Sequence, residues 1–131
     1  MKTTLHFFLL FNLILISNLA LSKEVVKTIP SLELISSNWT HEEDSSFAIV
    51  VGQVKNISMD SISQVQAVAS FSDSKGNFIS SQSTLIEFDP IVPDQISPFR
   101  VMVPWNPVMK QMKLDFKKLM GATIQFKSKD K

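Results

Sequence analysis

From Ile62 to Phe71 the chain shows its cleanest alternation of apolar and polar positions. Val65, Ala67, Ala69 and Phe71 share one face, while Gln64, Gln66, Ser70 and Ser72 populate the other. Successive side chains of a strand point to opposite sides of a sheet, so this period of two predicts a half-buried strand within Ile62–Phe71 and excludes an amphipathic helix.

The neighbouring segments have strand lengths too. Ser31–Trp39 alternates loosely, with Leu32, Leu34 and Ser36 on one face, and runs into the polar stretch Thr40–Ser46. Phe47–Asn56 is apolar on both faces in its first half and rich in β-branched residues, which predicts a central strand covered on both sides. Asp73-Ser74-Lys75-Gly76-Asn77 pairs an Asp that can bond backbone two residues on with a Gly that accepts positive φ, so a hairpin turn is expected there. Its second arm, Phe78–Leu85, is rich in Ser and Thr and reads as a strand near a sheet edge.

Pro90, Pro93 and Pro98 make Asp89–Ser97 largely loop, because proline donates nothing to a ladder. Phe99, Val101 and Val103 then alternate with Arg100 and Met102. The segment from Val108 fits a helix, since Val108, Met112, Phe116 and Met120 fall four apart, and equally a strand over Met112–Phe116. Gly121 and the β-branched Thr123-Ile124 favour a strand pair with a bend at the glycine. The expected fold is all-β: an immunoglobulin-like antiparallel β-sandwich of about seven strands.

The N-terminus has another character. Lys2 opens it, Leu5–Leu21 is almost wholly apolar, and Ala20-Leu21-Ser22 supplies the small residues a signal peptidase reads, so residues 1–22 are expected to be a cleaved signal peptide. An uncleaved anchor is the alternative, but Leu5–Leu21 is interrupted by His6, Asn12, Ser17 and Asn18 and is shorter than the ~20 apolar residues a membrane crossing needs. The organisation expected is a signal peptide over 1–22, an N-terminal segment over 23–45 carrying a first strand, and the β-sandwich over 46–131.

Removing residues 1–22 from 131 leaves 109 residues whose 12 basic and 12 acidic side chains balance, with His41 the one histidine and no cysteine. This balance gives no electrostatic case for nucleic acid. The missing cysteine closes thiol catalysis, thiolate metal sites and bacterial lipoprotein anchoring.

Val50-Val51-Gly52-Gln53-Val54-Lys55-Asn56, Val65-Gln66-Ala67-Val68-Ala69, Phe71 to Asn77, Pro93-Asp94-Gln95, Ser97-Pro98-Phe99 and a closing Phe116 with Gly121 occur in an order that resembles the FxLYD-type domain family. The resemblance runs from about residue 46 to 124. Ala69 to Asp73 stands in place of the pentapeptide that names the family and keeps only its Asp, and Asp94 stands where the family's turn usually has Gly. The resemblance implies a small immunoglobulin-like sandwich on an exported or membrane-attached protein, with no assigned catalysis.

Few residues invite a chemical role. Gly52 admits the close approach of a ligand backbone, or a bulge or tight packing against the opposite sheet. Asn56 is expected to bond loop backbone through its amide. Asn38-Trp39-Thr40 and Asn56-Ile57-Ser58 both fit the glycan acceptor pattern, with Asn38 the better acceptor if the host glycosylates. His41, Glu42, Glu43 and Asp44 form an acidic cluster without a shaping Gly, which reads as a solvated loop. Met109 and Met112 read as core filling.

A Ser/His/Asp triad would have to recruit His41 from a polar loop. Trp39 and Trp105 could form an apolar platform for a glycan ring or partner, or could each plug one end of the sandwich. The expectation is therefore a non-catalytic, exported module that needs no cofactor or metal and binds an envelope protein or a glycan. It would touch a membrane only through an uncleaved N-terminal segment. The alternative is a carbohydrate-binding module using Trp39 and Trp105.

Overall fold

The computed structural model describes residues 28–129, and the signal-peptide expectation falls outside them. Eight strands form among these residues: β1 (Leu32–His41), β2 (Phe47–Asn56), β3 (Val65–Ser72), β4 (Phe78–Leu85), β5 (Ile96–Pro104), β6 (Gln111–Lys118), β7 (Thr123–Ile124) and β8 (Phe126–Ser128). They make two four-stranded sheets, ordered β5-β2-β1-β8 and β4-β3-β6-β7, stacked as a β-sandwich. No helix is present among the described residues, so the period-four reading of Val108–Met120 gives way to strand β6, with Leu114 and Phe116 turned into the core.

Every pairing is antiparallel except that of β1 with β8. The parallel pair sets Glu33 opposite Lys127, whose side chains meet at 3.5 Å. β1 therefore sits inside the first sheet between β2 and β8, and the sandwich extends upstream of residue 46 to include it.

The core is built from the inward rows of both sheets. β3 alternates buried and half-buried along its whole length, with Val65, Ala67, Ala69 and Phe71 inside, as its period of two requires. Val50, Val54, Val101 and Val103 face them from the first sheet. Edge-to-face aromatic contacts tie the layers together: Phe99 with Phe116 at 5.6 Å, Phe116 with Phe126 at 5.2 Å and Trp39 with Phe71 at 5.1 Å between centroids.

Two expectations about the first sheet need correction. β2 is central, but only one of its faces is covered: Ala48, Val50 and Val54 are buried, while Phe47 and Val51 on the other face are exposed. The apolar outer face reflects what β2 presents to its surroundings and not a second covering layer. In β1 a bulge falls between Leu34 and Ser36, so Leu34 lies opposite Val54 but Ser36 lies opposite Gln53. The extra residue reverses the alternation and turns Ser36 away from the face that Leu32 and Leu34 share.

Prolines shape the connections. Pro98 and Pro104 lie within β5, which is a sheet edge, the position where a missing N–H is tolerated. Ile91 is fully buried and bridges to Ile62, anchoring the Asp89–Gln95 loop to the core.

Candidate functional site

The two outer faces of the sandwich differ in chemistry. On the second sheet the outward rows join Ser81, Ser70 and Lys113, then Ser83, Val68 and Asp115, then Leu85, Gln66 and Lys117. That surface is mostly polar and charged, and Lys113 and Asp115 pair on it at 3.7 Å.

On the first sheet the outward rows join Phe47 with Pro104, then Thr40, Ile49 and Met102, then Asn38, Val51 and Arg100. Val51 and Met102 are 44% and 45% exposed, values high enough to exclude cover by any other described residue. Strands in a sheet lie about 4.8 Å apart, so these side chains form one continuous apolar patch.

An open groove of about 730 Å³ continues from this patch. It crosses three successive rungs of the first sheet: Asn38–Val51–Arg100, Ser37–Gly52–Phe99 and Ser36–Gln53–Pro98. Thr84, Leu85 and Glu87 bound it beside β5. Arg100 and Glu87 give the groove one cation and one anion, and Arg100 makes no salt bridge among the described residues.

Gly52 lies in the middle rung for a packing reason. A Cβ there would come within 2.5 Å of Phe99 Cζ and would run into the carbonyl of Ser36, the residue at the β1 bulge. Phe99 belongs to the adjacent strand of the same sheet, so the close packing at Gly52 is lateral and does not come from the opposite sheet.

Trp39 and Trp105 come together at one end of the sandwich and do not plug one end each. Their centroids are 6.4 Å apart and their planes tilt by 35°. Both are half-buried against the core, and the imidazole of His41 stacks on Trp105 at 3.8 Å and 11°. The indoles thus form no coplanar exposed platform. His41 also donates from Nε2 to the Ser45 carbonyl at 2.8 Å, which turns its ring toward the domain. No group of three His, Asp or Glu side chains suited to a metal occurs among the described residues.

At the opposite end Asn56 is fully buried and knots two loops, the β2–β3 and β4–β5 connections. Its Nδ2 donates to the carbonyls of Asp60 at 2.8 Å and Ile91 at 2.9 Å, and its Oδ1 accepts from Ser58 N–H at 2.9 Å and Ser58 Oγ at 2.7 Å. Both amide hydrogens are committed inside the protein, so Asn56 is no glycan acceptor in the folded domain. Asn38 is exposed on the groove.

The Asp73–Asn77 hairpin is held by its first residue. Asp73 Oδ1 accepts from the N–H groups of Lys75 and Asn77, both at 2.9 Å, and Gly76 takes φ of 83°. The Asn77 backbone N–H, followed by its side-chain amide, holds the Asp73 carboxyl below its ordinary range. Asp94 has φ of 67°, the left-handed conformation that glycine usually supplies.

The apolar outer patch, with Arg100 and Glu87 beside it, is what the sequence reading missed. Its signal was present in the two-faced apolar run of β2, since residue type alone does not distinguish a covered face from an open one. Fold and surface together define an all-β sandwich whose first sheet carries an apolar patch on its outer face and whose second sheet is mostly polar there. No family model, curated protein or solved structure matches the chain.

Proposed function

We propose that the protein is an exported, non-catalytic β-sandwich that binds a protein partner at the cell envelope through the outer face of its first sheet. The observation that carries this reading is the continuous patch of Phe47, Ile49, Val51 and Met102, open among the described residues and opposed by a polar face on the other sheet. Exposed apolar surface next to a few polar groups is the usual composition of an interaction site. Export rests on Lys2, Leu5–Leu21 and Ala20-Leu21-Ser22, and the resemblance to FxLYD-type domains supports the same location. The non-catalytic reading is supported by a composition with no cysteine and by His41, whose ring is engaged by Trp105 and Ser45.

A photo-activated crosslinking residue placed in turn at Val51, Met102 and Val68 tests this in intact cells of the source organism. The expected result is one shared partner recovered from positions 51 and 102 and not from position 68. Recovery from position 68 alone, or from none of the three, overturns the reading.

A further inference from the structure

Edges of sheets carry unpaired N–H and C=O groups, and proteins blunt them with proline, charge or short length. Three of the four edges here are blunted. β5 carries Pro98, Arg100 and Pro104, and its Pro98 carbonyl already accepts from Glu87 N–H at 3.0 Å. β8 has three residues and includes Lys127, and β7 has two.

The fourth edge, β4, is eight residues long and contains no proline and no charged residue. Its backbone pairs with β3 alone along Phe78–Leu85 among the described residues.

We infer that β4 pairs antiparallel with β4 of a second copy of this chain about a two-fold axis at Gln82, joining the two β4-β3-β6-β7 sheets into one. A two-fold pair sets residues whose numbers share a common sum opposite one another, and keeping each sheet face continuous requires that sum to be even. With Gln82 facing Gln82, Ser81 meets Ser83 and Ser80 meets Thr84. Every central rung then joins two uncharged polar side chains that can hydrogen-bond across the strands, a favourable kind of cross-strand pair. Gln82, Ser83 and Thr84 are exposed and available to a partner. A formal net charge of +1 leaves little long-range repulsion between copies. The pairing edge borders the surface proposed for the partner, because Thr84 and Leu85 of β4 also line the groove beside the apolar patch.

Because the chain has no cysteine, substitution supplies a unique crosslink. Protein purified from cells expressing the full chain is examined by analytical ultracentrifugation, then as Gln82→Cys under mild oxidation and as Gln82→Lys. The expected results are a concentration-dependent dimer, a disulfide-linked Gln82→Cys dimer, and a Gln82→Lys dimer weakened by roughly fivefold or more through like charges on the axis. Mixing Ser81→Cys with Ser83→Cys protein should give mainly the mixed disulfide, whereas Val92→Cys, on an exposed loop, should stay unlinked. A monomer at every concentration overturns the inference. So does a dimer that ignores Gln82→Lys and forms no disulfide at position 82.

Discussion

Replacing Asn56 by Ala is expected to destabilise the domain by about 3 kcal/mol, a sum of unequal losses. Truncation removes four hydrogen bonds, but two of the groups keep another partner. The Ile91 carbonyl still accepts from Ile62 N–H at 3.0 Å, and the Ser58 hydroxyl, freed from Asn56 Oδ1, turns its one proton to the Asp60 carbonyl 2.9 Å away. Ser58 N–H alone is left without a partner. One orphaned donor costs about 1–2 kcal/mol, and two carbonyls each reduced to a single bond add about 0.5–1 kcal/mol apiece. For a domain of this size the melting temperature should fall by roughly 15 °C, read from Trp fluorescence or circular dichroism.

Asn56→Asp sharpens the test. It sets an oxygen where Nδ2 now donates to two carbonyls, and the ionised form then faces them without a proton to share. The folded carboxyl must therefore titrate above its unfolded value of about 4, so the variant loses stability as pH rises through and beyond that value. Its deficit against wild type should be larger at pH 7 than near pH 4. An Asn56→Ala cost below about 1 kcal/mol, or an Asn56→Asp deficit independent of pH, would refute the account of this knot.

Three further outcomes follow from the geometry. Gly52→Ala should cost roughly 2–4 kcal/mol by urea denaturation, because the new Cβ meets both the Phe99 ring and the Ser36 carbonyl; adding Phe99→Leu should recover little, since the backbone obstacle stays. Asp73→Asn should be less stable than wild type at neutral pH, with the gap closing below about pH 4: the folded carboxyl titrates below its unfolded value, so its contribution is present above that value and is lost as acid protonates it. Thermal melts across that range check the sign. Expressed in a glycosylating host, folded protein should carry glycan at Asn38 and none at Asn56, and peptide mass spectrometry reads the occupancy directly.

Sequence alone determined the layers and most of the strands. The alternation of Val65–Phe71, the Asp73–Asn77 turn and the Ser-rich edge arm Phe78–Leu85 are local properties, fixed by side-chain period and by backbone preferences, and they were legible for that reason. The short β8 was not legible, because three residues carry almost no periodic signal and its parallel pairing with β1 joins opposite ends of the domain.

Only the tertiary structure decided which faces meet. It left the outer side of β2 open where the apolar run pointed to cover, and it reversed Ser36 through the bulge at Leu34/Ser36. It also brought Trp39, Trp105 and His41 to one end and buried Asn56 completely. Hydrophobicity establishes that a side chain favours burial, but the geometry of two stacked sheets leaves each strand an outer face. Whether an apolar outer face finds cover depends on what else packs there, which the residues of that strand do not encode.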